Sequence, residues 1–260
     1  MSLYLPYPRF DAITFSGCGT LNFFQTGVAA ALQDRYDLSR QLFAGTSAGS
    51  GLATLVASGV DAGQIHRTAA AILAPYAGRN ILTSPDVLVA FADQFLHEFI
   101  DDHILERIGE RVHISITRLR PLGNLCINEF RSVPDLCRAI RASCHIPSLR
   151  RRSVYFRGQS CIDGGFSSNT PVVIPSTLTV SPFLVGPHVD IRPRRPVNPI
   201  RAVMVPSPAQ AEALFQQGAR DAHRLLDSLE QGSRVLTRKS TANKIGITLS
   251  TLQSLRRGSR

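Results

Sequence analysis

The apolar run Gln41-Leu42-Phe43-Ala44 passes through Gly45-Thr46-Ser47-Ala48-Gly49 straight into an alanine- and leucine-rich stretch ending near Gly59. The first run reads as a buried strand and the last as a helix. Joining them without a loop demands a tight turn with Ser47 at its apex, its hydroxyl at the positive end of the helix. Side chains two positions either side of the apex would strike the neighbouring elements, and Gly45 and Gly49 remove them. Ser47 is therefore a candidate nucleophile. Ser50 and Ser58 share the helix but lack the glycine bracket.

The rest of the chain alternates in the same manner. A strand is predicted over 12–16, then Gly17-Cys18-Gly19, then a helix over about 22–36. Asp61 is placed to cap the next helix, and Ser84-Pro85 to open another. Strands are predicted at 112–117 and 124–128, and a helix starting at Ser132 and Pro134 and running toward Ser143. A hairpin is predicted around Gly158, a strand at 178–180, and a helix over about 208–230. The six prolines of 187–208 mark that stretch as a loop. Such alternation implies a layered α/β fold with a largely parallel sheet.

Bulk properties narrow the class. The chain has 260 residues, 43% hydrophobic content and a mean hydropathy of +0.02. That suffices for one α/β-sized core, and no apolar run approaches the ~18 residues of a spanning helix. The N-terminus lacks the basic start and apolar core of a signal peptide. Five cysteines, Cys18, Cys126, Cys137, Cys144 and Cys161, form no CxxC pair, which argues against disulfides and zinc. Both features predict a cytoplasmic protein. The net charge is +10. It favours anionic surfaces, yet no zinc-finger, RNP or basic-zipper pattern accompanies it, so nucleic acid is not expected. Residues 232–260 hold seven basic side chains and no acidic one, and read as a weakly ordered basic tail or a surface helix.

A serine nucleophile needs an oxyanion site and a base. Gly17-Cys18-Gly19 follows a strand and opens a helix, so its backbone N–H groups turn into one concavity. The N–H of Ala48 would add a donor. A nucleotide phosphate fits that loop poorly: Asn22 replaces the third glycine of a dinucleotide fingerprint, and no Walker lysine follows. Asp163, in Cys161-Ile162-Asp163-Gly164-Gly165, stands at a strand end against two glycines and is the candidate base. A histidine remains an alternative partner, with His145, His188 and His223 the ones to weigh in a triad. Arg150 to Arg152 and Arg157 read as surface charges, with a grip on acidic headgroups as the second reading. Leu3, Tyr4, Leu5, Tyr7 and Phe10 either pack under the sheet or dip into a lipid interface.

Together, Gly17-Cys18-Gly19, Gly45-Thr46-Ser47-Ala48-Gly49 and Asp163-Gly164-Gly165 resemble the three ordered signatures of patatin-like phospholipases. The chain is most similar to the adipose triglyceride lipase and adiponutrin branch. Ser143-Cys144-His145-Ile146-Pro147, the run from Asp163 through Asn169 to Pro171, and Thr179 to Phe183 followed by Asp190-Ile191 carry that likeness. The resemblance spans about 11–230. It implies a patatin-like three-layer fold with a mostly parallel central sheet flanked by helices, and an acyl hydrolase domain over 1–231. It also implies a Ser47–Asp163 dyad, an oxyanion site at Gly17, Cys18, Gly19 and Ala48, and no metal or cofactor. Asn22, Gly45, Gly49, Gly164, Gly165 and Asn169 would support these motifs. The expected substrates are glycerolipid esters, triacylglycerol or phospholipid, met at a membrane or droplet surface. Two alternatives stay open: a catalytically weak lipid-binding protein of the same fold, and a Ser-His-Asp esterase. Asn22 departs from the glycine of the family's loop and motivates the first. The droplet-targeting apolar segment of the lipase branch has no counterpart in these residues.

Overall fold

The computed structural model describes residues 8–147, 153–183 and 189–230. Four largely buried segments pair in parallel: β1 (Ala12–Phe15), β2 (Leu42–Thr46), β3 (Val112–Leu119) and β7 (Thr177–Val180), in the order β7-β1-β2-β3. β3 outruns its neighbour, because β2 pairs only with its first half, Thr46 lying opposite Ser115. The second half receives β4 (Leu122–Ile127) and β6 (Gln159–Asp163), both antiparallel, and β5 (Val154–Phe156) closes a hairpin on β6. β1, β2, β3, β5 and β7 run one way and β4 and β6 the other, giving a mixed, mostly parallel seven-stranded sheet flanked by helices.

Strand alternation splits the sheet into two chemically different faces. One carries Ile13, Phe15, Phe43, Ile114, Ile116, Leu178 and Val180, all free of solvent. The helices α2 (Ala48–Ala57) and α6 (Val133–Ser143) pack there, and a Cβ on Gly45 would drive into Gly49 and Ser50 of α2. The other face is small and polar, with Thr14, Thr46, Ser115 and Thr117 buried on it. The stretch after Asp163 crosses that face, and the hydroxyls satisfy its carbonyls. Thr46 and Ser115 both donate to Ser168 O at 2.9 and 3.0 Å, and Thr14 donates to Pro171 O at 2.6 Å.

Farther out, α1 (Asn22–Arg35) lies against α3 (Ala62–Leu73) and α7 (Pro208–Glu230). Gly27 and Gly218 let α1 and α7 cross in backbone contact: a Cβ at either would penetrate the facing carbonyl, of Phe215 or Phe24. α4 (Pro85–Phe99) follows Ser84 as expected, with Pro85 in its first turn. Asp61 caps α3 by accepting from Gln64 N, and Ser132 caps α6 by accepting from Asp135 N.

Two elements depart from the expectation. α5 (Ile104–Ile108) is five residues long, too short to show a periodicity. The proline-rich stretch holds a 3-10 turn, Pro199–Val203, opened by the Asn198 side chain accepting from Ile200 N at 3.0 Å. Phe10 is core, its ring meeting the edge of Tyr36 at 5.9 Å. Leu3, Tyr4, Leu5, Tyr7, Arg150 to Arg152 and 232–260 lie outside the described residues.

Candidate active site

Ser47 joins β2 to α2 with φ 52° and ψ −129°, a region L side chains rarely occupy. Holding it there costs on the order of 1–3 kcal/mol, which the surrounding structure must offset. Gly49 makes the turn possible, since a Cβ on it would strike the carbonyls of Phe15 and Ser16 at the end of β1. The turn is held by an interaction absent from the sequence reading. Ser143, at the end of α6, accepts from Ser47 N at 2.8 Å and donates to Ser115 O at 2.7 Å. One buried hydroxyl thus ties the apex to the central strand.

Asp163 ends β6, 6% exposed; its Oδ1 accepts from Gly165 N at 2.8 Å, and the Ser47 side chain lies near enough to the carboxyl to favour its charged form. Its backbone is fixed on both sides: N–H donates to His145 O at 2.8 Å, and Thr117 Oγ1 donates to its carbonyl at 2.7 Å. Burial raises the Asp163 carboxyl above the ordinary carboxylate range, and the nearby Ser47 side chain and the Gly165 N–H lower it by less. Gly164 packs flat against β3, where a Cβ would meet Ser115 O. Asn169 stands between the two loops: a Cβ on Gly17 would lie 2.6 Å from its Oδ1, and one on Gly165 3.0 Å.

The glycine loop faces the elbow, with one correction to its donors. Gly17 N–H donates to Asn169 O at 3.2 Å and is spent on structure. Among the described residues, the amides of Cys18, Gly19 and Ala48 have no backbone acceptor. Gly19 needs to be glycine twice over: its φ is +55°, and a Cβ would enter the carbonyl of Ala202. The turn at 199–203 backs this loop, with the Thr20 hydroxyl 2.7 Å from the carbonyls of both Arg201 and Met204 and able to donate to either.

Asn22 opens α1 and bridges toward Ala48. Its backbone is right-handed helical, φ −58° and ψ −21°, so no glycine is needed there. Its Oδ1 accepts from Gln25 Nε2 at 2.9 Å, and its Nδ2 lies 3.4 Å from Ala48 O, across the gap between the loops. Gln25, fully buried on α1, was invisible as a site residue because a lone helical glutamine has no signature. Its Oε1 accepts from Ser16 N at 2.8 Å, and its Nε2 donates to Ser16 O at 2.9 Å and contacts Cys18 Sγ at 3.0 Å. One amide therefore fastens the strand end, the glycine loop and Asn22 together.

Cys144 adjoins Ser47 and Ser50. Burial, with the Asp163 charge adding, pushes its thiol up to about 12. It stays protonated at neutral pH and does not compete as a nucleophile. Burial likewise raises the Cys18 thiol.

The remaining candidates are elsewhere. His223 is on α7, which packs on α1 and α3, and His188 lies outside the described residues. His145 gives Asp163 its carbonyl. Arg157 is not a headgroup grip: its guanidinium is committed to buried Asp135 at 2.6 Å and to Glu129 O at 2.6 Å. Among the described residues no group of three His, Cys, Asp or Glu is placed to hold a metal ion.

The family profile described as patatin-like phospholipase matches residues 13–175, a span containing the glycine loop, Ser47 and Asp163. The mouse (Mus musculus) protein named 1-acylglycerol-3-phosphate O-acyltransferase Pnpla3 is 32% identical over 200 residues, 74% of this chain and 48% of the relative. The mouse omega-hydroxyceramide transacylase is 32% identical over 196 residues, 70% of this chain and 31% of the relative. The chain thus spans half or less of these curated relatives. Among solved structures, VipD from Legionella pneumophila superposes with a TM-score of 0.51 at 13% identity, over 85% of this chain and 67% of that one, a likeness of fold alone.

Proposed function

The chain belongs to the patatin-like phospholipase family, near its adiponutrin branch, and on that premise we propose that it is a lipid acyl hydrolase working through a Ser47–Asp163 dyad. The observation that carries this reading is the Ser47 side chain set beside the buried Asp163 carboxyl, at an elbow flanked by amides with no backbone acceptor.

Ser47 Oγ attacks the ester carbonyl carbon as its proton passes to the Asp163 carboxylate. The carbonyl oxygen becomes an oxyanion and is taken by the N–H groups of Cys18, Gly19 and Ala48. Each such donor is worth about 3 kcal/mol of barrier. The tetrahedral carbon expels the alcohol or lysolipid oxygen, which leaves with the proton held by Asp163. Water then attacks the acyl-enzyme, giving its proton to Asp163, and the acid departs as Ser47 regains its hydrogen.

Raising the carboxyl by burial suits this role, because a stronger base abstracts the serine proton more readily. No histidine is required in either step. Against the catalytically weak reading stands the helical backbone of Asn22, which needs no glycine. We place the activity in residues 1–231, with glycerolipid esters as substrates and peripheral contact with a membrane or droplet in the cytoplasm. No helix among the described residues is long and apolar enough to cross a bilayer.

A second reading concerns the acceptor. The two relatives described above are named for acyl transfer rather than hydrolysis. The same acyl-enzyme would serve, with an alcohol in place of water at the second step.

Fluorophosphonate labelling with mapping of the adduct tests the dyad. The expected result is a single adduct on Ser47, lost in Ser47→Ala and strongly slowed in Asp163→Asn. An adduct elsewhere, or none on a folded sample, would overturn it. Product analysis with and without an acceptor alcohol then separates the two acyl fates.

A further inference from the structure

Beyond the catalytic groups, the far end of the sheet has an open apolar row. On the polar face, Tyr155 pairs with Ser160, and Leu119 with Leu122. Continuing the register of Arg118 with Cys161 sets Ser160 beside Leu119. Tyr155, Ser160, Leu119 and Leu122 therefore form one lateral line across β5, β6, β3 and β4, about 14 Å wide at the usual strand spacing. The next row inward is covered: Ser167 hydrogen-bonds Thr117 at 2.7 Å and Asn124 at 2.9 Å. The outer row is open at its two ends, with Leu119 and Ser160 between them half-buried. Tyr155 is 78% exposed and Leu122 77%, and Phe166, in the turn that provides this cover, is 65% exposed.

The charge around the row has one sign. Residues 112–127 and 153–162, which make both hairpins, contain Arg118, Arg120 and Arg157 and no Asp or Glu. Arg157 is neutralised by Asp135, but among the described residues Arg118 and Arg120 form no ion pair. Large exposed apolar side chains with unneutralised arginines at their rim match a lipid surface bearing anionic headgroups. The row stands three residues up β6 from Asp163, about 10 Å along the strand.

We propose that Tyr155, Leu119, Leu122 and Phe166, with Arg118 and Arg120, are the surface through which this protein docks on an anionic phospholipid membrane. This deepens the lipid-hydrolase reading and rests on it for its purpose, but not for its measurement.

The test uses the full chain and phosphatidylcholine vesicles with and without phosphatidylglycerol. Cosedimentation with the anionic vesicles is expected to fall at least about tenfold in Leu122→Glu/Tyr155→Glu, as expected for removing apolar and adding like-charged groups at a membrane face. Arg120→Glu is expected to weaken binding to anionic vesicles only. Both variants should keep wild-type turnover of a water-soluble monomeric ester, and Ser47→Ala should keep wild-type vesicle binding. Because the chain has no tryptophan, Leu122→Trp supplies a single fluorophore, whose emission should shift to the blue on anionic vesicles. Undiminished binding by the double variant, or no spectral shift at position 122, would overturn the proposal. Absence of soluble-ester turnover with intact, variant-sensitive vesicle binding would sink the hydrolase reading and leave the docking surface standing.

Discussion

Thr46 and Asp163 pair with consecutive residues of one strand, Thr46 with Ser115 and Asp163 with Ile116. Residues 114–115 pair with both β2 and β4, and 116–118 with both β4 and β6, so β2 and β6 share the β3 edge away from β4. They run toward each other along it and stop head to head. One strand step, about 3.3 Å, rather than a flexible loop, sets the approach of the elbow to the carboxyl.

The strained elbow separates stability from activity. Ser47→Gly relieves the positive φ and should raise stability by about 1 kcal/mol relative to Ser47→Ala. Both should be inactive. Denaturant unfolding of the two variants checks this, and a Ser47→Gly protein less stable than Ser47→Ala would contradict the strain argument.

The raised Asp163 carboxyl has two consequences with opposite signs. Catalysis needs the ionised form, which burial delays. kcat/KM should therefore fall on acidification with a midpoint above the ordinary carboxylate value of about 3.9. Stability needs the neutral form, because the folded state binds the proton more tightly than the unfolded chain. Its contribution is present below the raised value and absent at neutral pH. Asp163→Asn, neutral at every pH, should melt higher than wild type at pH 7 while losing about a thousandfold or more in kcat/KM. A pH–rate profile and calorimetry read both effects.

Gln25 is a positioning residue. Gln25→Leu would strand the buried C=O of Ser16, whose N–H keeps Val180 O at 3.1 Å, at a cost of about 1–3 kcal/mol for the one unsatisfied group. Freed from its anchor, the glycine loop should misplace the Cys18 and Gly19 amides. The expected outcome is a kcat lowered about 10- to 100-fold with KM little changed, since oxyanion donors act mainly in the transition state. A change confined to KM would assign Gln25 a different role.

Ser143→Ala removes the hydroxyl between Ser47 N and Ser115 O. Two buried backbone groups lose their partner, costing about 1–3 kcal/mol, and fluorophosphonate labelling of Ser47 should slow. Ser143→Cys, which keeps a weak donor and acceptor, should recover part of both. Equal losses in the two variants would show that the hydrogen bonds are not what matters.

Glycine substitutions in helices should differ in sign. Gly218→Ala drives a methyl into Phe24 O across the α1–α7 crossing and should destabilise strongly, by about 3 kcal/mol or more. Gly51→Ala meets nothing within 4 Å inside α2 and should stabilise by about 0.5–1 kcal/mol. Thermal melts of the pair decide it.

Local sterics made much of this protein legible from its residues alone. The strand–turn–helix around Ser47, the caps at Asp61 and Ser132 and the hairpin at Gly158 depend on neighbours a few positions away, and a linear pattern carries that information. The family motifs likewise picked out Ser47 and Asp163. What the linear pattern did not hold was the use of each polar group. That Gly17 N–H is spent on Asn169, that Ser143 secures the elbow, that Gln25 fastens the loop and that Arg157 pairs with buried Asp135 all depend on partners brought together by the fold. The short-range preferences of the chain settle which turns form. Which amides remain for a substrate is decided only when every other donor and acceptor has found its partner.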